Sequence, residues 1–375
     1  MEIFFDHKIF SLQNYGGPSR YFVNLASKLN EIETVNAKIF SPIHINYMLS
    51  GTSKKNIGFA NKIPFADFLS KSNTFKNNII KINNRVNNFY IKRRKPDIIH
   101  TTYYGNDFPV KTNNLVVTVY DLIHEIFADE YKIKNNHLPK KDILDRAKQI
   151  ICISESTKKD LIKFYNISEE IITVTHLSNN LSSNNDSLQI SKTRLPKKFF
   201  LYVGSRWKYK NFNQLLHVLN YNKNLHNEFD LVTFGGGKLT HDEKKLIKKL
   251  GLNNDKIIQI DGDESLLRDL YKQAEFFIYP SRYEGFGIPI LESFSQECPV
   301  LCSNTSSFPE VAGDAAIFFD PNDIESISKS IEKITHSGEL RQKLIKSGNE
   351  RLQKFSWTKC ASETLNVYKK IIELN

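Results

Sequence analysis

The sequence predicts an α/β protein that contains two doubly wound parallel sheets. Short apolar runs alternate with segments of helical periodicity, which is typical of parallel sheets built from strand–helix–strand units. The alternation occurs twice, on either side of a polar stretch over 177–198 that is rich in Ser and Asn. A chain of 375 residues is also too long for a single hydrophobic core. Two successive sheets of this kind are expected to hold a ligand in the cleft between their carboxyl edges.

The order of the elements follows from the apolar runs. The strands predicted in the first half are Glu2–Phe5, Ala37–Phe40, Asp97–Thr101, Leu115–Val119, Gln149–Ile153 and Ile171–Val174. Those predicted in the second half are Phe199–Val203, Asp230–Phe234, Lys256–Ile260, Glu275–Tyr279, Pro299–Leu301 and Ala316–Phe319. Two helix starts are predicted, because Pro18 precedes an apolar helical face and Ser154 can cap the helix that runs through Leu161.

These elements predict the domain organisation. We expect an N-terminal domain over 1–178, a linker over 179–197 and a C-terminal domain over 198–357. The remaining residues, 358–375, contain a predicted helix at Thr358–Leu374.

The composition favours a globular protein of a reducing compartment. Hydrophobic residues make up 40% of the chain and the mean hydropathy is −0.41. No apolar run approaches the roughly 18 residues that a membrane span needs, and the chain opens as a strand rather than as a signal peptide. The cysteines are scattered without a C-x-x-C pair, which favours reduced core thiols: Cys152, Cys298, Cys302 and Cys360. We therefore expect a cytoplasmic protein.

Part of the net charge of +11 is concentrated between Lys71 and Lys95. This segment has eight basic residues and no acid: Lys71, Lys76, Lys81, Arg85, Lys92, Arg93, Arg94 and Lys95. Apolar residues are interleaved, which resembles a basic amphipathic helix lying on an anionic membrane surface. An ordinary helix with a solvated basic face is the alternative interpretation. Nucleic acid is not an expected partner, since no zinc-finger, RNA-recognition or helix-turn-helix pattern is present.

A second informative pattern follows the predicted strand Glu275–Tyr279. Glu284 and Glu292 stand eight positions apart, with Gly285 and Gly287 between them. The glycines let the backbone approach a ligand closely, and a helix beginning near Gly287 directs free N–H groups to the same place. Such a site offers carboxylates and amides to a polyhydroxylated or anionic ligand. The spacing alone also fits a strand–turn–helix unit with solvated glutamates.

The segment Ser281–Glu292 matches the E-x7-E motif of retaining glycosyltransferases of family 4, which have the GT-B architecture. Three other segments resemble the same family: the glycine-rich loop Phe10–Tyr21, the loop Val203–Asn211 and the stretch Ser307–Ala316. The resemblance covers nearly the whole chain. It implies two Rossmann-like domains facing across a cleft, with the C-terminal helix crossing back to the N-terminal domain.

The resemblance also implies which residues bind the donor, a nucleotide-diphosphate sugar. Arg206 and Lys210 would neutralise the departing diphosphate, Glu292 would bind the ribose hydroxyls and Glu284 would hold the sugar. The expected donor-binding residues are Gly16, Gly17, Ser205, Arg206, Lys210, Glu284, Gly285, Phe286, Gly287, Ile288 and Glu292. The expected catalytic residues are Glu284, Arg206, Lys210 and Asp121.

Two positions depart from the family's pattern. Where the family often has His-Asp after a strand of the N-terminal domain, this chain has Tyr120-Asp121. The predicted acceptor-side residues are therefore Tyr103, Tyr120, Asp121 and His124, with Asp121 as a weak candidate for a protein base. Relatives that share the variant resemble GDP-mannose-type transferases, which favours that donor over a UDP-sugar. Glu297 stands where relatives commonly have a glycine at a helix C-terminus, and it predicts local strain or an altered cap.

Two other motifs suggest different chemistry and are not favoured. Asp261-Gly262-Asp263 is a D-x-D pattern, which can hold a divalent metal on a nucleotide sugar. It is short and follows a predicted strand, and Asp-Gly is common in turns, so we predict turn residues instead. Gly235–Lys238 lacks the spacing of a P-loop. No metal is expected, and no cofactor besides the sugar nucleotide.

Together these features predict a retaining, metal-independent hexosyltransferase. Its acceptor would be a glycan or a lipid-linked glycan in surface polysaccharide synthesis, of the O-antigen or capsule type, and it would lie peripherally on the cytoplasmic membrane face. In the resembled family, retention looks like front-face attack in which the leaving phosphate takes the proton of the acceptor. Two alternatives remain open: a sugar-nucleotide epimerase or phosphorylase on the same fold, and a non-catalytic nucleotide-sugar-binding subunit.

Overall fold

The computed structural model describes residues 1–64, 72–105, 112–130, 140–181 and 195–373. Lys71, the central part of the predicted linker (182–194) and the end of the last predicted helix (374 and 375) lie outside these ranges. The chain forms two compact units. Unit 1 consists of Met1–Leu177 and Ser356–Asn375, and unit 2 consists of Ser178–Phe355.

Unit 1 is built on a seven-stranded sheet in which every pairing is parallel. Its strands are β1 (Glu2–Phe5), β2 (Asn36–His44), β3 (Ile57–Lys62), β4 (Ile98–Thr101), β5 (Leu115–Val119), β6 (Gln149–Cys152) and β7 (Ile172–Val174). They lie in the order β3-β2-β1-β4-β5-β6-β7. Every residue of β4, β5 and β6 is buried, as expected for central strands of a parallel sheet that is covered on both faces.

Helices cover this sheet. They are α1 (Lys8–Leu12), α2 (Gly17–Leu29), α3 (Tyr47–Ser50), α4 (Asn73–Arg94), α5 (Ile123–Ile126), α6 (Lys141–Leu144) and α7 (Glu155–Tyr165). As predicted, Pro18 occupies the first turn of α2, and the Ser154 hydroxyl caps α7 by accepting the N–H of Thr157.

Strand β3 was not predicted from the sequence. It pairs with β2 at the edge of the sheet, and none of its residues is fully buried, so it lacks the apolar run of an inner strand. Gly58 lies against the ring of Phe40, where a Cβ atom would come within 2.2 Å of the ring. Pairing with β3 also explains why β2 extends to His44, beyond its predicted end at Phe40.

The last helix, α16 (Trp357–Glu373), belongs to unit 1, which confirms the prediction that the C-terminal helix returns to the N-terminal domain. Trp357 packs near Tyr21 of α2, with ring centroids 6.3 Å apart. Farther along the helix, the hydroxyl of Tyr368 lies 2.6 Å from Nδ1 of His100, which is fully buried in β4. The other ring nitrogen of His100 lies 2.8 Å from the hydroxyl of Thr118 in β5. The imidazole therefore links the helix to two central strands.

Unit 2 is built on a six-stranded parallel sheet in the order β10-β9-β8-β11-β12-β13. Its strands are β8 (Phe199–Val203), β9 (Asp230–Phe234), β10 (Ile257–Ile260), β11 (Phe277–Tyr279), β12 (Val300–Ser303) and β13 (Ala316–Phe319). Its helices are α8 (Phe212–Tyr221), α9 (Lys223–Glu228), α10 (His241–Lys249), α11 (Glu264–Gln273), α12 (Ile288–Ser295), α13 (Phe308–Ala312), α14 (Ile324–Thr335) and α15 (Gly338–Leu352). The strand order reverses between β8 and β11, which makes their carboxyl ends the expected ligand-binding edge.

The membrane and cysteine predictions can be compared with the fold. Among the described helices, none combines the length and apolar character that crossing a bilayer requires. All four cysteines are buried thiols, and burial raises the pKa of Cys298 and Cys360 to about 12. Cys298 precedes β12 and Cys360 lies in α16, so only Cys152 and Cys302 stand in strands.

The predicted strain at Glu297 is visible in the backbone. Glu297 follows the C-terminus of α12 with a φ of 57°, in the left-handed region that favours glycine. The N–H of Glu297 bonds to the carbonyl of Phe294, and the N–H of Cys298 bonds to that of Ser293. These two bonds form a Schellman motif, in which the residue at this position is usually glycine.

We expect Glu297→Gly to increase the free energy of unfolding by about 0.5–1 kcal/mol, because the relief of left-handed strain exceeds the backbone entropy that glycine loses. Urea denaturation of the two proteins measures the difference. The control is Glu297→Ala, which removes the same carboxylate but keeps the Cβ atom. If both variants gained the same stability, the gain would come from the loss of the charge. That result would contradict the presence of backbone strain at Glu297.

The burial of His100 predicts a dependence of stability on pH. Burial lowers the pKa of His100 from 6.5 to about 3, so the folded protein keeps this ring neutral while the unfolded chain protonates it. The stability that depends on this neutral ring is complete above pH 6.5 and is lost as the pH falls from 6.5 toward 3. At about 1.4 kcal/mol per pH unit, His100 should lower the free energy of unfolding of unit 1 by about 2 kcal/mol as the pH falls from about 7 to about 5.

The measurement is urea denaturation at the two pH values, with fluorescence of Trp357 reporting on unit 1 in a Trp207→Phe background. In His100→Gln the hydrogen bonds are perturbed at both pH values, but the dependence on pH should flatten by about 2 kcal/mol. Burial also lowers the pKa of His44, to about 4. Since His44 is present in both proteins, its contribution cancels in the comparison. An unchanged pH dependence in the variant would show that His100 is not the group responsible.

Candidate functional site

Three loops of unit 2 meet at the carboxyl ends of β8, β11 and β12. The N–H of Arg282, after β11, donates to the carbonyl of Tyr209, after β8, at 2.8 Å. The hydroxyl of Thr305, after β12, donates to the carbonyl of Arg282 at 3.0 Å. These two hydrogen bonds fix the three loops against one another, beside the point between β8 and β11 where the strand order reverses.

An ion pair joins two of these loops. Lys210 Nζ lies 2.5 Å from Glu284 Oε1, and the two side chains are only 14% and 10% exposed. The same Nζ lies 3.5 Å from the hydroxyl of Tyr279, the last residue of β11. Burial raises the pKa of Tyr279 well above its usual 10, and the negative charge of Glu284 raises it further. The phenol therefore stays protonated beside a buried cation and a buried carboxylate.

Two serines after β12 position the loop that contains Glu284. The hydroxyl of Ser306 accepts the N–H of Glu284 at 3.0 Å. The hydroxyl of Ser307 lies 2.9 Å from the carbonyl of Glu284 and 2.8 Å from that of Phe286. Glu284, Gly285 and Phe286 are all buried. The carboxylate is thus held by its own backbone as well as by Lys210.

Helix α12 begins where the sequence predicts. Gly287 is its N-cap, with a φ of 105°, and no side chain caps the helix. A Cβ atom at Gly287 would lie 3.2 Å from the ring of Phe308 and 3.3 Å from Ile290, so both the conformation and the space favour glycine. Ile288 and Pro289 form the first turn, and the positive end of the helix lies next to the Glu284 loop.

Glu292 lies in α12 and is 5% exposed. The hydroxyl of Tyr271 is 3.4 Å from Glu292 Oε2 and 3.3 Å from the carbonyl of Pro289. Tyr271 itself is fully buried in α11. The structure therefore places the carboxylate in the interior of unit 2 rather than in solvent, which argues against the interpretation of solvated glutamates.

Arg206 is held differently from Lys210. Its Nε lies 2.8 Å from Glu243 Oε1, and the two side chains are 3% and 9% exposed. The terminal nitrogens lie 3.1 Å from the carbonyl of Gly235, 2.8 Å from that of Gly237 and 3.0 Å from that of Lys238. The other oxygen of Glu243 accepts the N–H of Thr240 and completes the capping box of α10. The family resemblance implies that Arg206 and Lys210 converge on a diphosphate, whereas here most of the N–H groups of Arg206 bond to protein.

The guanidinium of Arg206 shapes the triple-glycine loop after β9. Gly235, Gly236 and Gly237 have φ angles of 77°, 74° and 72°. A Cβ atom at Gly236 would lie 2.9 Å from the carbonyl of Gly204 and 3.0 Å from Nη1 of Arg206. The left-handed φ angles favour glycine at all three positions, and at Gly236 the close packing also excludes a side chain, although the run lacks the spacing of a P-loop. Beside it, the carbonyl of Ser205 accepts the hydroxyl of Tyr202 at 2.8 Å.

In unit 1, Gly16 and Gly17 lie at the N-terminus of α2. Gly16 is the N-cap in an extended conformation, with a φ of 169°, and no side chain caps the helix. A Cβ atom at Gly16 would come within 2.4 Å of Gln13 Oε1, so the Gln13 side chain would have to move, whereas one at Gly17 would meet nothing within 4 Å. The packing of unit 1 therefore does not explain why residue 17 is a glycine.

The predicted acceptor-side residues lie at the carboxyl ends of two neighbouring strands, Tyr103 after β4 and Tyr120, Asp121 and His124 after β5. Tyr120 is buried, and its hydroxyl donates to the carbonyl of Thr102 at 3.1 Å. Tyr103 packs beside it, with ring centroids 6.3 Å apart, and burial raises the pKa of Tyr103 to about 12. Asp121 accepts the N–H of Ile123 at 3.1 Å, and His124 lies exposed in α5. The hydroxyl of Tyr120 thus bonds within unit 1, which leaves Tyr103, Asp121 and His124 nearer to solvent.

A buried ion pair supports this region. Lys140 Nζ lies 2.8 Å from Glu125 Oε2 and 2.8 Å from the carbonyl of Asp121. The side chains of Lys140 and Glu125 are 3% and 1% exposed. The hydroxyl of Tyr165 donates to the other oxygen of Glu125 at 2.6 Å. Asp121 therefore sits on a backbone held by a buried cation.

Several residues that shape the site were not predicted: Tyr279, Ser306, Tyr271, Glu243, Lys140 and Glu125. One of them had a sequence signal, because Thr240-x-x-Glu243 is a capping-box pattern that places a carboxylate at a helix start. The D-x-D pattern also has a structural role, since the side chain of Asp263 caps α11 by accepting the N–H of Leu266. Within the described ranges, no group of three or more His, Cys, Asp and Glu side chains is arranged to hold a metal ion.

Comparison with known proteins finds two family models on the chain. The model described as Glycosyltransferase Family 4 matches residues 15–178, and the model described as Glycosyl transferases group 1 matches residues 183–351. The O-antigen chain mannosyltransferase B of Escherichia coli is 31% identical over 71% of this chain and 74% of its own length. The O-antigen chain mannosyltransferase RfbU of Salmonella typhimurium is 26% identical over 85% of this chain and 87% of its own.

Solved structures share the fold along the whole chain. A glycosyltransferase from Rickettsia africae superimposes with a TM-score of 0.72 at 20% identity, covering 100% of this chain and 99% of its own. WaaG, a glycosyltransferase involved in lipopolysaccharide biosynthesis, superimposes with a TM-score of 0.72 at 16% identity, covering 98% of this chain and 99% of its own. At these identities the likeness shows the architecture and not the substrate.

The contact between Lys210 and Glu284 predicts strong energetic coupling. We expect Lys210→Met and Glu284→Gln each to destabilise unit 2, because each leaves a mostly buried charge without its partner. The double variant should be more stable than the sum of the two effects implies, with a coupling energy of about 1–3 kcal/mol. Urea denaturation of the four proteins of this double-mutant cycle gives the value.

The control cycle pairs Glu284→Gln with Lys208→Met, since Lys208 is exposed in the same turn as Lys210. That cycle should be additive within about 0.5 kcal/mol. Additivity in the Lys210 cycle as well would contradict the buried ion pair.

Proposed function

The chain belongs to glycosyltransferase family 4, the group 1 glycosyl transferases, and from that premise we propose that it is a retaining mannosyltransferase. The proposed donor is GDP-mannose, with a UDP-sugar as the second choice. The proposed acceptor is a glycan or lipid-linked glycan of a surface polysaccharide. The two curated relatives, whose names describe O-antigen mannosyltransferases, support this choice of donor and pathway.

The observation that carries the proposal is the ion pair between Lys210 and Glu284 at the ends of β8 and β11. A sugar nucleotide brings both a diphosphate and a set of hydroxyls. The ammonium of Lys210 is attracted to the diphosphate, and the carboxylate of Glu284 is then available to accept from a sugar hydroxyl. When the donor binds, Lys210 and Glu284 each lose the other as a partner and gain a group of the substrate. Neither charge is therefore left buried without a partner. As the glycosidic bond breaks, Lys210 stabilises the charge that develops on the leaving phosphate.

In this proposal, the remaining donor residues of unit 2 surround the same edge of the sheet. Arg206 stays oriented by Glu243 and supplies its remaining N–H to the diphosphate, beside the backbone of Ser205. The N–H groups of Gly285, Phe286, Gly287 and Ile288 bind the donor at the positive end of α12. Glu292, which reaches the interior from the same helix, binds the ribose hydroxyls.

Gly16 and Gly17 bind the donor diphosphate through the N-terminus of α2. Support comes from the lack of a packing reason for glycine at Gly17, where a Cβ atom would meet no more distant part of the protein within 4 Å. A ligand that contacts the backbone accounts for the residue, because a Cβ atom would keep a phosphate away from the amides.

Retention follows from attack on the same face from which the diphosphate leaves. The departing phosphate accepts the proton of the acceptor hydroxyl, so a protein base is not needed. Tyr103, Asp121 and His124 orient the acceptor, and Tyr120 fixes the strand end through its bond to Thr102. Asp121 is the one carboxylate of this set, and Lys140 holds its backbone. No metal takes part, in keeping with the capping role of Asp263.

We place the reaction at the cytoplasmic face of a membrane, where lipid-linked glycans are extended. The proposal requires no transmembrane helix, only a surface that holds the enzyme beside its acceptor.

The test is transfer of mannose from GDP-mannose to a glycan acceptor in the presence of EDTA, with the anomeric configuration of the product read by NMR. We expect a product that retains the configuration of the donor. Lys210→Ala and Glu292→Gln should each lower turnover at least about a hundredfold, since each removes a preorganised contact to the donor. Lys208→Ala is the matched control and should keep wild-type activity, because its ammonium is exposed in the same turn.

A panel of GDP-, UDP-, ADP- and CMP-nucleotides in a thermal-shift assay reports the base independently, because a ligand that binds only the folded state raises the melting temperature. Stabilisation by uridine nucleotides alone would overturn the choice of GDP-mannose. Turnover of the sugar nucleotide with no acceptor present would indicate an epimerase. Activity that disappears in EDTA and returns with Mn²⁺ would contradict the metal-free mechanism.

A further inference from the structure

We propose that Tyr279 is a positioning residue of the transfer reaction, whose hydroxyl holds the carboxylate of Glu284 when the diphosphate of the donor draws Lys210 away. The inference rests on the proposed function, because the departure of Lys210 is a step of that reaction. Its geometry rests on contacts within unit 2. Tyr279 is the last residue of β11 and is 3% exposed, and Glu284 lies in the loop that this strand leads into.

Packing fixes the ring of Tyr279. Its centroid lies 4.8 Å from that of Phe308 in α13 and 5.4 Å from that of Phe277 in β11. The backbone carbonyl of Tyr279 also accepts the hydroxyl of Ser303, at the end of β12, at 3.5 Å. A buried ring in such packing has little freedom to move. The phenol therefore stays in place while the flexible stem of Lys210 can rotate.

The hydroxyl of Tyr279 contacts both members of the ion pair. Its oxygen accepts from Lys210 Nζ at 3.5 Å, which leaves the O–H of the phenol to donate to another group. Glu284 is that group. Burial raises the pKa of Tyr279 well above its usual 10, and the carboxylate of Glu284 raises it further through its charge and through a hydrogen bond. The carboxylate therefore keeps a donor even when the ammonium turns elsewhere.

Donor binding creates the need for such a group. The side chain of Glu284 is only 10% exposed, and the ammonium of Lys210 is 2.5 Å from its Oε1. Ser306 and Ser307 bond to the backbone of Glu284 and not to its carboxylate. Among the described residues, Lys210 and Tyr279 are the groups that hydrogen-bond to the carboxylate. Once the diphosphate attracts Lys210, the phenol keeps the carboxylate directed at the sugar hydroxyl, and a hydrogen bond to an ionised acceptor is a strong one.

Two other phenols lie near the ion pair but make different contacts. Burial raises the pKa of Tyr202, and the charge of Glu284 raises it further, yet the hydroxyl of Tyr202 donates to the carbonyl of Ser205 at 2.8 Å. Tyr209 presents its ring to Lys210, whose Nζ lies 5.3 Å from the ring centroid. Tyr279 is therefore the phenol of this site with a proton directed at the carboxylate.

The first experiment measures the contact with no substrate present. Lys210→Met removes the ammonium, as the diphosphate does in the proposed reaction, so Glu284 then depends on Tyr279. Tyr279→Phe should lower the urea midpoint at least about twice as far in the Lys210→Met background as in the wild-type background, because the two residues share one partner. Circular dichroism follows the unfolding of the four proteins. Equal shifts in the two backgrounds would overturn the proposal.

The second experiment compares the donor with the same nucleotide lacking its sugar. Tyr279→Phe keeps the packed ring and removes only the hydroxyl. It should lower kcat/KM for GDP-mannose at least about tenfold, which is the loss of one hydrogen bond to a charged group. The Kd of GDP should change less than about twofold, because GDP has no hexose for Glu284 to hold. The matched control is Tyr221→Phe, which removes a phenol that is 60% exposed at the end of α8 and should change neither quantity.

Two kinetic results would overturn the proposal. Tyr279→Phe could keep the wild-type kcat/KM, which would show that the hydroxyl does not assist transfer. The variant could also lose affinity for GDP as strongly as it loses turnover, which would show that Tyr279 acts only through the fold of unit 2. Failure of the proposed function is distinguishable from both, because a wild type that transfers no sugar contradicts the function, while the urea comparison still decides whether Tyr279 holds Glu284.

Discussion

A charge buried at the end of a strand must keep a partner, and this constraint organises both units of the protein. Three ion pairs of the described chain have both side chains largely buried: Lys210–Glu284, Arg206–Glu243 and Lys140–Glu125. In each pair at least one member lies in a segment that follows a central strand. Breaking such a pair costs far more than its formation contributes, because the remaining charge stays desolvated. A ligand that replaces one partner must therefore bring charge or hydrogen-bonding groups of its own.

Much of the fold follows from the sequence because the strands are buried on both faces. β1, β5, β8, β9 and β13 have the predicted bounds, since continuous apolar runs end where polar loop residues begin. β3 could not be predicted in this way, because an edge strand with no fully buried residue has no apolar run. The start of α12 was predictable for a different reason. Gly287 adopts a φ of 105°, a conformation that few other residues tolerate, so its identity marks the position.

The candidate site was predictable in composition but not in its contacts. The sequence indicates Arg206, Lys210, Glu284 and Glu292, yet the partner of Arg206 is 37 positions away in α10 and depends on how the loops pack. The same limit applies to α4. Its basic and apolar residues indicate an amphipathic helix, but the sequence alone does not show that Asn83 and Asn87 face inward. The folded structure shows that both asparagines lie on the buried face with Ile79 and Ile91, while other apolar residues of the helix, Ile82, Val86 and Phe89, are exposed. The sequence states the identity of each residue directly. The contacts of that residue depend on how the whole chain folds.

The two cations of unit 2 show why arginine and lysine are not interchangeable here. Arg206 has a planar fork of donors, and four acceptors from Glu243 and the glycine loop fix it in one orientation. Such a group suits a permanent structural role, because moving it would break several bonds at once. Lys210 is a point charge on a flexible stem, with one carboxylate partner and the rings of Tyr209 and Tyr279 nearby. It can change partners by rotating its stem, and Tyr279 remains as a neutral neighbour throughout. In the proposed reaction, Lys210 is therefore the residue that exchanges one partner for another, while Arg206 maintains the loop beside it and contributes its remaining N–H.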